Sequence, residues 1–102
     1  MSIGARLEMS TRLYIGNLNF AMTDAALHEI IGRLTSVVPE HIEHAEIIRD
    51  PETGRSRGFG FVDLASPEDA QRAINELDGT EVMGRTLRVQ LAKPRTRSRR
   101  MF

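Results

Sequence analysis

The hydrophobic residues between Leu13 and Ala92 keep two periods in turn, and the order of those periods limits the fold more tightly than any other feature. Leu13-Tyr14-Ile15 is a short strand pattern, closed by Gly16-Asn17. Thr23 then offers a hydroxyl to cap a helix, with Asp24 well placed in its first turn. Leu27, Ile30, Ile31 and Leu34 follow at i, i+3, i+4 and i+7, which is one face of that helix. Period two returns at Ala45–Ile48 and again at Phe59–Leu64. The turn signal Asp50-Pro51-Glu52-Thr53-Gly54 between them predicts a hairpin loop. Ser66-Pro67-Glu68-Asp69 has the form of a helix start: a capping hydroxyl, a proline at the first helical position and acids in the first turn. Ala70, Ala73, Ile74 and Leu77 supply the inner face of this second helix, and Gly79 can end it. Leu87, Val89 and Leu91, alternating with Arg88 and Gln90, read as the last strand.

The order is β-α-β-β-α-β. It predicts an α+β domain of ferredoxin-like, split-βαβ arrangement: a four-stranded antiparallel sheet with two helices on one face. Right-handed crossovers put both helices on the same side of that sheet. A chain of 102 residues is one domain's worth, and 40% hydrophobic residues can build a single core without disulfides or metal. There is no internal repeat and no dividing linker. The expected organisation is a disordered leader over residues 1–11, a folded domain over 12–93 and a basic disordered tail over 94–102. Residues 1–8 precede a second Met-Ser pair, Met9-Ser10, and read as an upstream start or a vector-derived leader with no assigned function.

Composition removes several classes of protein. The absence of cysteine excludes disulfide scaffolds, thiol catalysis and cysteine-ligated zinc. No apolar run approaches the ~20 residues that cross a bilayer, and Met1–Ser10 lacks the apolar stretch of a signal peptide. The expected location is intracellular and cytoplasmic, or nuclear in a eukaryote, without a membrane partner. A net charge of zero hides a split, because Lys93, Arg95, Arg97, Arg99 and Arg100 put five of the 14 basic residues into the last ten positions. Residues 1–92 keep nine basic against 14 acidic residues, a net of −5. A basic end on an acidic body suits an anionic partner, nucleic acid first; a purely solubilising end is the other reading of the charge.

Side chains in a strand alternate between the two faces of the sheet. With Leu13, Ile15, Ala45, Ile47, Val62, Leu64, Leu87 and Val89 toward the helices, Tyr14, Phe59 and Phe61 face the other way. That face has no covering layer within the chain, yet it carries three of the five aromatic residues. A contiguous aromatic patch on an open sheet calls for a partner. Flat rings suit nucleic-acid bases, each stack being worth about 1–3 kcal/mol, and Arg57 adds a cation for phosphate. Gly58 and Gly60 leave room around the ring-bearing strand. A partner protein or a terminal helix covering the rings is the alternative.

At this point the residues acquire a family likeness. Arg57-Gly58-Phe59-Gly60-Phe61-Val62-Asp63-Leu64 resembles the RNP1 motif of the RNA recognition motif family, with agreement at seven of eight positions. Leu13-Tyr14-Ile15-Gly16-Asn17-Leu18 resembles RNP2, its companion on the first strand. The resemblance spans about residues 12–93. It implies single-stranded RNA lying across the sheet, with Tyr14 and Phe59 stacking on bases, Phe61 against a sugar or between residues, and Arg57 on a phosphate. Arg88 and Gln90, outward on the last strand, are candidates for base edges, with a plain solvated face as the equal alternative. Lys93 and Arg95 begin the basic tail that would supply affinity.

Three departures stand out. Leu64 replaces the final aromatic of RNP1 at an inward position, Glu46 puts an acid on the outer face of the second strand, and Thr35–Ile42 is longer than the usual short turn. The long segment is expected to extend the helix or serve a structural role more than a protein contact. Of the remaining residues, Phe20 reads as core and Asn17 as a strand-end turn residue. His28, His41 and His44 read as solvated or capping histidines, since no third metal ligand is placed by the sequence. No dinucleotide or phosphate-loop motif and no catalytic set is present. The expectation is therefore a monomeric, non-catalytic RNA-binding domain with no cofactor and no small-molecule substrate, active as an RNA chaperone or in translation or decay. A protein-interaction module and a single-stranded DNA binder are the alternatives; the 2′-OH distinguishes the latter.

Overall fold

The computed structural model describes residues 10–93. Strand β1 (Arg12–Gly16) leads into helix α1 (Asp24–Leu34), then a short 3-10 turn (Pro39–His41) and strands β2 (Ile42–Arg49) and β3 (Ser56–Leu64). Helix α2 (Pro67–Leu77) follows, then a small hairpin of β4 (Glu81–Val82) and β5 (Arg85–Thr86), and finally β6 (Arg88–Leu91). The main sheet has the order β2-β3-β1-β6, and its neighbours all run antiparallel. The ferredoxin-like α+β topology expected from the periods is the one observed.

Local chemistry sets the element boundaries. Thr23 Oγ1 accepts a hydrogen bond from the Ala26 amide, and Ser66 Oγ accepts one from the Asp69 amide, so both helices start at the hydroxyls named above. Asp50 Oδ1 accepts from the amides of Glu52 and Thr53, while Gly54 takes a φ of +77° that a side chain would resist. These bonds close the β2–β3 hairpin. Leu13, Ile15, Val62, Leu64, Leu27, Ile31, Ala70, Ala73 and Leu77 are all essentially inaccessible and form one core between sheet and helices. At about 1.5–3 kcal/mol for each large side chain fully buried, this layer is the main source of stability.

Several expectations need correction. Phe20 is not core: it is 67% exposed, because Leu18 and Met22 on either side fill the interior instead. Leu34 and Leu91 are also partly exposed, at the end of α1 and of the edge strand β6. Thr35–Ile42 does not extend α1. Thr35 caps it, donating from Oγ1 to the Ile31 carbonyl, and Glu76 of α2 accepts from the Ser36 amide and hydroxyl, while Val37 is buried. The segment is structural. Strands β2 and β3 start earlier than period two indicates, since register shifts at Ile42/His44 and Ile47/Arg49 break the alternation. The β4–β5 hairpin was not anticipated; its strands have two residues each, and its turn sets Met83 at φ +53° beside Gly84 at +83°. Ser10 and Thr11, expected in the leader, belong to the fold. Ser10 is buried and donates to the Ala92 carbonyl, and the Thr11 carbonyl accepts from the Leu64 amide. Residues 1–9 of that leader and the tail 94–102 lie outside the described residues.

Candidate nucleic-acid interface

The register assembles the outer face row by row. Tyr14 stands opposite Phe61 on one side and Gln90 on the other, and Phe61 in turn stands opposite Glu46. In the next row Gly16 stands between Phe59 and Arg88. Period two sends Leu13, Ile15, Val62 and Leu64 to the core, so these intervening residues face away from it. The ring centroids of Tyr14 and Phe59 are 5.5 Å apart at 31°; Phe61 meets Tyr14 at 6.1 Å and Phe59 at 6.0 Å, both edge-on. Each ring is half-buried by its neighbours and half open.

Two glycines shape this surface. A Cβ on Gly16 would lie 2.5 Å from the Tyr14 hydroxyl and 2.8 Å from its ring, so the bare backbone is what lets Tyr14 lie down along β1. A Cβ on Gly60 would collide with the Glu46 carbonyl, so that glycine fixes the close approach of β2 and β3 beneath the rings.

Of the residues singled out by the sequence, Tyr14, Phe59, Phe61, Arg88 and Gln90 are brought together on this face. Arg57 is exposed at the start of β3, one position from Gly58 and two from Phe59. Lys93 is exposed just beyond β6, and Arg95 lies outside the described residues. Sequence reasoning missed Arg12. Its guanidinium carbon lies 4.7 Å from the Phe61 ring centroid, and its Nε is 3.6 Å from Asp63 Oδ1. Parity with Tyr14 was the signal available, had the strand been started one residue earlier. Glu46 is exposed on this face as expected, 3.3 Å from His44 Nε2.

The other residues weighed have ordinary partners. Asn17 is a strand-end residue at φ +62°, donating to the Thr86 carbonyl and accepting from Arg85. His41 Nδ1 lies 2.8 Å from Asp69 Oδ2, and His28 is exposed on α1. No group of three or more potential ligands that could hold a metal occurs among the described residues.

The described residues thus form a split-βαβ domain with three clustered rings on the sheet face that the helices leave uncovered. The chain belongs to the RNA recognition motif family, whose model matches residues 13–88. It is 43% identical over 90 residues to the 31 kDa chloroplastic ribonucleoprotein of Nicotiana sylvestris, a match covering 88% of this chain and 27% of that protein. The chain thus spans about a quarter of that relative's length. Among solved structures it is similar to RNA binding protein PG1, with a TM-score of 0.75 and 40% identity over 86% of this chain and all of that one. It is also similar to the Sxl-lethal protein in complex with RNA, with a TM-score of 0.68 and 39% identity over 80% of this chain and 47% of the other. The relative's chloroplast location gives the expected cytoplasmic assignment no support. No helix among the described residues is long and apolar enough to cross a membrane.

Proposed function

We propose that this domain binds single-stranded RNA across the open face of its sheet, without catalysis. Bases stack on Tyr14 and Phe59, and Phe61 packs against a sugar. Arg57 contacts a phosphate, and Arg88 and Gln90 meet base edges from β6. Lys93 and Arg95 add charge where the chain leaves the domain, which we take as one folded unit beginning at Ser10 and followed by a basic tail. One observation carries the reading: three partly open rings lie within about 6 Å of one another on the sheet face opposite the helices. The likeness to a chain solved with RNA supports it. A role as RNA chaperone or post-transcriptional regulator follows from binding without chemistry.

The test compares one labelled RNA sequence as a single strand, as its annealed duplex and as the DNA counterpart, at equal salt. In a duplex the bases are already stacked on each other and cannot reach Tyr14 or Phe59 without unpairing. The single strand should therefore bind more tightly than the duplex. Equal or tighter duplex binding would sink the stacking mode in favour of phosphate contact alone. DNA binding as tight as RNA would reassign the ligand to single strands of either sugar.

A further inference from the structure

Glu46 stands among the rings of the outer face, and its place there is fixed from the backbone up. Its neighbours in β2, Ala45 and Ile47, pack into the core, so Glu46 turns to the ring side. Its carbonyl lies where a Cβ on Gly60 would stand, which holds β2 tightly against β3. On the other side the Ile47 amide donates to Asp24 Oδ1 at 2.8 Å and ties the next residue to α1. The register sets Glu46 directly opposite Phe61, which stands opposite Tyr14, with Gln90 at the far end of the same row. Residues so opposed have Cβ atoms about 4.5–5.5 Å apart, so the carboxylate stands at the rim of the Phe61 ring. Asp63, two positions beyond Phe61 on β3, is already paired with the Arg12 guanidinium at 3.6 Å. Glu46 has no arginine or lysine partner among the described residues. Its side chain is 48% exposed, and only Oε1 is engaged, 3.3 Å from His44 Nε2.

We infer that Glu46 makes this surface selective for guanine beside Phe61, the two carboxylate oxygens accepting from the N1–H and the 2-amino group of the base. The inference rests on the RNA binding proposed above. An ionised carboxylate only accepts hydrogen bonds. It repels phosphates and carbonyl oxygens, so on a surface for a polyanion it is favoured only by a base that offers donors. Guanine alone among the four bases has two adjacent N–H groups on its Watson–Crick edge, the pair that a carboxylate accepts in parallel. Adenine and cytosine set one amino group beside an acceptor nitrogen, and uracil sets its N–H between two carbonyls. In a single strand that edge is open to side chains. Gln90, at the other end of the row, is donor and acceptor at once and can meet any base. The selectivity of the row therefore lies with Glu46.

The experiment uses the full chain and 5′-labelled oligouridylates of one length, either plain or with one central guanosine, inosine, adenosine or cytidine, at equal salt. The wild type should bind the guanosine strand roughly 5- to 160-fold more tightly than the plain one, the discrimination of one bidentate pair. Inosine lacks the 2-amino group and should fall between the two, a comparison that needs no variant. Glu46→Gln keeps one acceptor oxygen and replaces the other with a donor, so the guanosine preference should drop toward one. An unchanged urea midpoint for Glu46→Gln, expected for a half-open side chain, keeps misfolding out of the comparison. Equal binding of all five strands by the wild type, a preference for another base, or a guanosine preference that survives in Glu46→Gln would each refute the inference. Inosine bound as tightly as guanosine would refute the paired contact. Phe59→Ala separates the two levels of the reading. It should weaken every strand while leaving the guanosine preference in place, and if it weakens none, the underlying RNA-stacking role fails instead.

Discussion

Replacing Phe59 by alanine separates what this ring does for RNA from what it does for the sheet. Its centroid is 5.5 Å from that of Tyr14 and 6.0 Å from that of Phe61, both inside the range in which aromatic pairs contribute about 0.5–1.5 kcal/mol beyond area burial. Two such pairs bound the loss of stability at about 1–3 kcal/mol. The lower end is expected, because one side of the ring already faces solvent. For a domain of this size each kcal/mol lowers Tm by roughly 4–8 °C. The domain stays folded at 25 °C, since stabilities run about 5–15 kcal/mol. Loss of one stacked base costs about 1–3 kcal/mol of binding, or roughly 5- to 160-fold in Kd. Leu27→Ala supplies the contrast: that side chain is fully buried in α1, so stability should fall by about 2–5 kcal/mol while the folded fraction binds normally. The assay pairs a fluorescence-anisotropy titration with single-stranded RNA at 25 °C with a urea melt of each variant. Wild-type affinity in Phe59→Ala, or a stability loss equal to that of Leu27→Ala, would refute the assignment of this ring to binding.

Gly60→Ala should destabilise the domain by about 1–3 kcal/mol, since the new methyl meets the Glu46 carbonyl and lies 3.2 Å from Ile47 Cα, backbone that cannot swing aside; an unchanged urea midpoint would contradict this. Gly16→Ala should instead weaken RNA binding with a smaller change in stability, because the obstacle is the movable Tyr14 ring and the methyl lifts it from the sheet; equal affinity in a titration would show that the ring's posture is immaterial. Removing residues 94–102 deletes Arg95, Arg97, Arg99 and Arg100, and at about 0.7 per engaged cation the salt slope should shrink by up to ~2.8. An unchanged slope would make those arginines bystanders, and a lost preference for selected over scrambled RNA would mean that they read bases.

The parts legible in the sequence were those governed by periods and caps. The alternation Arg57, Phe59, Phe61 against Gly60, Val62, Leu64 divides β3 into an open and a buried side, and a one-residue slip would exchange the two completely. The capping hydroxyls of Thr23 and Ser66 fixed both helix starts in the same way. What escaped was chemistry without a period. Phe20 looked like core because an aromatic between a strand and a helix usually is, and only the neighbouring Leu18 and Met22, both buried, displace it outward. The register shifts between β2 and β3 and the Met83-Gly84 turn interrupt patterning over too few residues for periodicity to register. Arg12 was missed by one residue of strand length.

An open apolar sheet face raises a further physical question, since unpaired strand edges invite a neighbouring chain to add itself. Here the two edges are β2 and β6, and each loses a free amide to a carboxylate at a helix end. Asp24, in the first turn of α1, accepts from the Ile47 amide at 2.8 Å, and Asp78, at the end of α2, accepts from the Val89 amide at 2.8 Å. The same two bonds pin each helix to the strand it covers, so the layer that buries the core also blunts the edges beside it. A buried amide left without such a partner would carry a penalty of about 1–3 kcal/mol, which gives both acids a structural weight independent of RNA. The face can therefore stay uncovered and aromatic while the sheet resists strand addition, the combination a surface needs if its partner is to lie across the strands.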